Sequence, residues 1–148
     1  MLSSVEESQS CVWAEPCEAS VTGARRILII DDDLPQAEAL GYCLRRQGFE
    51  VSLATNCAAG LQVARTQAPH LIILDLCLPD GDGLDVCAEL SDARETAGVP
   101  VIIVSGADRT GVVRQARTAG CQFFVHKPYD PNALLVLVEQ ALTDAQAW

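Results

Sequence analysis

From Arg26 onward the chain alternates between two hydrophobic rhythms. Residues 27–30, 71–74 and 101–104 are short, unbroken apolar runs. Together with residues 49–53 and 122–126 they read as five strands. The intervening segments carry helical spacing. Residues 34–47 place Ala37, Leu40 and Leu44 on one side, with Pro35 in the first turn and Gly48 after the end. Asn56 can cap a helix reaching about residue 66. The turn-forming run Pro79-Asp80-Gly81-Asp82-Gly83 leads into a helix with Leu84, Cys87 and Leu90 on one face. A helix over 110–119 ends at Gly120, and Asp130-Pro131 opens a last one through residue 142.

Strand and helix thus alternate five times. Strands that are continuously apolar are buried on both faces, which argues for a parallel sheet covered by helices on each side. The fold class is α/β, a (βα)5 doubly wound five-stranded parallel sheet with right-handed crossovers. Residues 1–24 sustain no period and read as an acidic tail, apart from Val12-Trp13, which could dock. Residues 25–146 form the folded domain. The few residues after the last helix are too short for an output domain. No apolar run is long enough to cross a bilayer. Glu6, Glu7, Glu15 and Glu18 stand where a signal peptide would be basic and then apolar, so a cytoplasmic location is expected.

Charge narrows the choice of partner. The formal net charge is −10, from 20 acids against 10 bases. Such a chain repels DNA and anionic lipid, so neither direct nucleic acid nor membrane is expected among its partners. Lys127 is the sole lysine among the ten bases. The seven cysteines are odd in number and show no CxxC spacing, so they read as reduced, small apolar residues.

The polar residues that interrupt this pattern are informative. Asp31, Asp32 and Asp33 follow the first strand, Asp75 the third, Ser105 the fourth and Lys127 the fifth. In a parallel sheet all those carboxyl ends share one edge, where ligands bind. Carboxylates brought together there repel until a proton or cation relieves them. Oxygen-only ligands favour a hard cation such as Mg²⁺, which recruits phosphate oxygens. The set suits a phosphoryl group bound to, or attacked by, one carboxylate.

Four stretches carry a resemblance. They are Ile27-Leu28-Ile29-Ile30-Asp31-Asp32-Asp33, the segment from Leu71 through Asp75 to Gly83, Val101-Ile102-Ile103-Val104-Ser105-Gly106-Ala107, and Phe123-Phe124-Val125-His126-Lys127-Pro128. In this order, with gaps of 30 residues from Asp75 to Ser105 and 22 from Ser105 to Lys127, the chain resembles a response regulator receiver domain of two-component signalling. The resemblance implies the flavodoxin-like strand order 2-1-3-4-5. It makes Asp75 the phospho-acceptor, with Lys127 pairing with the phosphoryl group and Ser105 moving toward it. It assigns Mg²⁺, or Mn²⁺ in its place, to Asp32, Asp75 and the backbone carbonyl of Cys77, with Asp31 acting through water. Phe124 matches the aromatic switch, and a cis bond before Pro128 would orient Lys127. The small Ala107 would leave the phosphoryl group open to water or to a partner.

The implied partners are a histidine kinase or histidine phosphotransfer protein, a downstream protein effector, and a second copy in a phosphorylation-dependent dimer. The surface from the fourth helix to the fifth, including Arg114 and Arg117, is the expected partner face. The resemblance implies a switch with only self-catalysed phosphoryl transfer and hydrolysis, not an enzyme. A Mg²⁺-dependent phosphatase with an Asp nucleophile would want an acid at position 77, which is Cys. A flavin carrier would be repelled by Asp31–Asp33, and no GxxxxGK or GxGxxG motif supports a nucleotide. A receiver-shaped docking module that is never phosphorylated is the remaining alternative. Asp33 reads as a helix cap and His70 as structural. His126 is expected at an exposed strand end, turned away from the neighbours of Phe124.

Overall fold

A computed structural model describes residues 24–106 and 109–146. Residues 1–23 of the acidic tail, and Ala107, lie outside the described residues. Five strands form one parallel sheet: β1 (Arg26–Ile30), β2 (Glu50–Ala54), β3 (Leu71–Leu74), β4 (Val101–Ser105) and β5 (Phe123–His126). Their order is β2-β1-β3-β4-β5, as the resemblance implies. The helices are α1 (Leu34–Arg46), α2 (Cys57–Gln67), α3 (Gly83–Asp92), α4 (Val112–Ala119) and α5 (Pro131–Gln146). None of the described helices is long and apolar enough to cross a membrane.

Period-2 alternation splits the buried strands between two cores. Leu28, Ile30, Ile72, Leu74 and Ile103 pack with Ala64, Val86, Leu90 and Ala116 on the side of α2, α3 and α4. Ile27, Ile29, Leu71, Ile73, Ile102 and Val104 pack with Leu40, Leu44, Leu134 and Val138 on the side of α1 and α5. Both faces of the central strands are therefore sealed, which is why residues 27–30, 71–74 and 101–104 are unbroken apolar runs.

Helix starts follow local capping. Asp33 accepts from the Gln36 amide at 3.3 Å, Asn56 from Ala59 at 2.8 Å and Asp82 from Leu84 at 2.9 Å. The fourth helix begins at Val112 and not at 110. Gly111 sits at φ 77° in the left-handed region and no side chain caps the helix, so Thr110 stays outside it. The last helix runs four residues past Leu142, since nothing in residues 143–146 breaks it. The sequence reading also omits a two-stranded antiparallel ribbon, Cys77–Leu78 against Gly81–Asp82.

At the opposite sheet edge, His70 is structural as expected. Its Nδ1 accepts from the Arg26 amide at 2.9 Å, while the Arg26 guanidinium donates to the carbonyls of Gln67 and Ala68. Burial, then the charges of Arg26 and Arg25, hold the imidazole pKa below its usual 6.5. The fold therefore binds fewer protons here than the unfolded chain. This contribution is complete above the unfolded value and is lost as pH falls through the lower folded one. Urea midpoints should drop more steeply for the wild type than for His70→Asn between about pH 7 and about pH 5, because Asn offers an acceptor that does not titrate. Parallel curves would assign the acid sensitivity elsewhere.

Candidate functional site

Asp31, Asp75 and Lys127 each sit one rung beyond a strand and are held there by the sheet's own hydrogen bonds, while Ser105 is the last residue of β4. The Asp31 amide donates to the Ala54 carbonyl at 2.9 Å, Asp75 to Ile30 at 2.9 Å and Lys127 to Ser105 at 3.0 Å. The peptide bond between Lys127 and Pro128 is cis. Register in the two-sided core thereby fixes where the polar groups emerge. Asp31 and Asp75 are 7% and 6% exposed and Ser105 is fully buried, whereas Asp32 is open to solvent.

The carboxylates of Asp31, Asp32 and Asp75 offer oxygens within 4.8 Å of one another. One ammonium serves the two buried ones. Lys127 Nζ donates to Asp31 Oδ2 at 3.1 Å and to Asp75 Oδ2 at 3.4 Å. The second oxygens accept from backbone amides two residues on, Asp31 from Asp33 at 2.9 Å and Asp75 from Cys77 at 3.3 Å. Burial raises the pKa of Asp75; the Lys127 ammonium opposes this, and the charge of Asp31 adds to it. For Lys127, burial favours the neutral amine, but the hydrogen bond to Asp31 and the charges of Asp75 and Asp31 outweigh it and raise the pKa.

The donor set fits a small, hard dication. It consists of carboxylate oxygens, two of the acids are buried, and a single ammonium leaves their charge undercompensated. The structure brings Asp31, Asp32, Asp75 and Lys127 to one place, with Cys77 beside them in the ribbon. The Cys77 side chain is exposed; its amide is what reaches Asp75.

Phe124 is half-buried against the core on the side of α2, α3 and α4. The expectation for His126 needs correcting. Residues two apart on a strand share a face, and the two rings lie 5.0 Å apart at 63°, edge to face. His126 is exposed at the strand end but touches Phe124 directly.

The sequence reading misses the work of the ribbon acids, whose Pro-Asp-Gly-Asp-Gly run reads only as a turn. Asp82 caps α3 and meets the Arg109 guanidinium at 3.3 Å. Asp80 accepts from the amides of Cys57 and Ala58 at 2.7 and 3.1 Å. Acids inside a turn motif give no sign of which distant helix they serve.

Comparison with known proteins agrees with this geometry. The family model described as the response regulator receiver domain matches residues 27–139. The chain is 35% identical over 121 residues to the DNA-binding response regulator MtrA of Mycolicibacterium smegmatis, covering 82% of this chain and 52% of that protein. It is 30% identical to protein PilH of Pseudomonas aeruginosa, covering 79% of this chain and 97% of that protein. A CheY-like response regulator receiver domain from Methanospirillum hungatei superimposes with a TM-score of 0.81 at 26% identity, covering 84% of this chain and 98% of that one. The chain spans about half the length of the MtrA relatives it matches. The expectation that nucleic acid is excluded as a direct partner is overturned, because MtrA is named for DNA binding. The charge argument failed because a net charge of −10 describes this chain alone and does not carry to a longer protein containing such a domain.

One packing contact tests how tightly the site depends on its surroundings. A Cβ on Gly83 would run into the Asp75 carbonyl oxygen and lie 2.7 Å from Leu76 Cα. The Gly83 amide donates to the Leu76 carbonyl at 2.8 Å, so the helix cannot simply withdraw. Gly83→Ala should lower unfolding stability by about 1–3 kcal/mol, measured in urea. An unchanged midpoint would show that the backbone around Asp75 yields freely.

Proposed function

The chain belongs to the response regulator receiver family, and we propose that it takes a phosphoryl group from a phosphohistidine onto Asp75 and relays the change to a partner. The observation that carries this reading is the Asp75 carboxylate, buried yet reached by Lys127 Nζ and the Cys77 amide, beside Asp31 and Asp32. A carboxylate kept in such a setting is poised as an oxygen nucleophile.

In the proposed step an Asp75 carboxylate oxygen bonds to phosphorus. The phosphorus–nitrogen bond to the donor imidazole breaks, and its electron pair stays on that nitrogen. The product is an acyl phosphate. Little covalent chemistry is asked of the protein, so its contribution is positioning and charge compensation. Asp31, Asp32, Asp75 and the Cys77 carbonyl would hold Mg²⁺, or Mn²⁺, which when bound supplies positive charge for the phosphoryl oxygens. Lys127 is already anchored to both buried acids and supplies a second positive charge from the fifth strand.

Ser105, at the end of β4, is the proposed hydroxyl that approaches the new phosphoryl oxygens. Its movement, and that of Phe124 on the neighbouring strand, would shift the population of two conformations of the α4–β5–α5 face. Hydrolysis of the acyl phosphate resets the switch, so no external substrate is turned over. The donor is a histidine kinase or a histidine phosphotransfer protein. Output goes to a downstream protein effector or, in a larger protein like the DNA-binding relatives, to DNA.

Intact mass after incubation with acetyl phosphate tests the reading. The wild type should gain one phosphoryl group with Mg²⁺ and none with EDTA, and Asp75→Asn should gain none in either. Phosphorylation of Asp75→Asn at the wild-type level would remove Asp75 from its role. A wild type that neither gains mass nor binds beryllofluoride with Mg²⁺ would favour a docking module that is never phosphorylated.

A further inference from the structure

The first turn of α2 is satisfied from two places. Asn56, its own cap, takes the Ala59 amide at 2.8 Å, and the Gly60 amide closes onto the Asn56 carbonyl at 3.0 Å. That leaves the amides of Cys57 and Ala58, which donate to Asp80 Oδ1 at 2.7 Å and to Asp80 Oδ2 at 3.1 Å. Both oxygens of one carboxylate are thus committed to a helix start more than twenty residues away. A charge-assisted pair of this kind at the positive end of a helix is among the stronger surface arrangements.

Asp80 lies in the turn of the ribbon. That ribbon also contains Cys77, whose amide reaches Asp75 and whose carbonyl is a proposed metal ligand. A second contact seals the same junction: a Cβ on Gly81 would sit 3.2 Å from Cys57 Sγ, so α2 and the ribbon approach closely where Gly81 leaves room. The hydrogen bonds of Asp80 with Cys57 and Ala58 hold its carboxyl below the usual carboxylate range. Its charge is therefore committed to the start of α2.

We propose that Asp80 is a positioning residue for the metal site: by tying the ribbon to the start of α2, it holds the Cys77 backbone where a cation bound by Asp31, Asp32 and Asp75 can use it. This rests on the reading of the site given above. It predicts that loss of Asp80 weakens the cation more than loss of an equivalent cap on the same helix.

The test is calorimetric titration of Mg²⁺ into the wild type, Asp80→Ala, Asp80→Asn and Asn56→Ala. Asn56→Ala is the control, because it uncaps the same helix and leaves the tie to the ribbon intact. Asp80→Ala should weaken Mg²⁺ binding about tenfold, the low end of what outer supports of metal ligands contribute. Asn56→Ala should stay within about twofold of the wild type while losing thermal stability, as uncapped helices do. Asp80→Asn keeps one acceptor oxygen and should fall between; it also stands in if Asp80→Ala does not fold. Equal Mg²⁺ affinity in the Asp80 variants and the wild type, or an equal loss in Asn56→Ala, would reduce Asp80 to an ordinary helix cap and overturn the proposal. A wild type that binds no Mg²⁺ would instead overturn the reading of the site, and this inference with it.

Discussion

Repulsion between two buried carboxylates that share one ammonium is the interaction on which this molecule turns. Oxygens of Asp31 and Asp75 come within 4.8 Å, and both side chains are about nine-tenths buried. At an effective dielectric near 20, two unit charges at that spacing repel by on the order of 3 kcal/mol. A chain left to optimise stability alone would not place them so. They stay because the sheet leaves them no alternative, since the bonds from Asp31 to Ala54 and from Asp75 to Ile30 continue the strand pairing one rung past its apolar part. Lys127 offsets part of the cost from the fifth strand, and a dication would offset much of the rest.

The rest of the fold is the frame that makes this tolerable. Two cores seal the central strands from both sides, so register cannot slip without turning leucines and isoleucines toward the wrong face. The frame is tight where it meets the site: Gly83 brings the first turn of α3 against the Asp75 backbone, and the ribbon locks to α2 through Asp80. Rigidity there and a fully buried Ser105 at the end of β4 are the conditions for a local change of charge to move neighbouring elements together instead of dissipating. On the proposed reading, that is what would let phosphorylation of Asp75 act as a switch.

Much of this was legible in the sequence, for identifiable reasons. Runs such as Leu71–Leu74 are apolar without alternation and admit one reading, a strand covered on both faces. Once the strands are placed, Asp31, Asp75, Ser105 and Lys127 fall on one edge with no further assumption. What escaped depends on geometry that spacing does not encode. The late start of α4 follows from the left-handed Gly111. The contact of His126 with Phe124 follows from strand parity and was misjudged. Asp80 looks like any turn acid, because its partners lie more than twenty residues earlier in the chain. The exclusion of nucleic acid failed for a different reason, since the net charge of −10 belongs to this chain alone and says nothing of a longer protein that carries such a domain.

Urea unfolding of the wild type and Asp75→Asn at neutral pH, in EDTA and then in Mg²⁺, tests the central claim most directly. If repulsion at the sheet edge is the governing constraint, Asp75→Asn is the more stable protein in EDTA, because it loses a charge that the fold strains to hold. Added Mg²⁺ then stabilises the wild type more than the variant and narrows or reverses the gap. A variant that is less stable than the wild type in EDTA, with both proteins responding alike to Mg²⁺, would contradict the account.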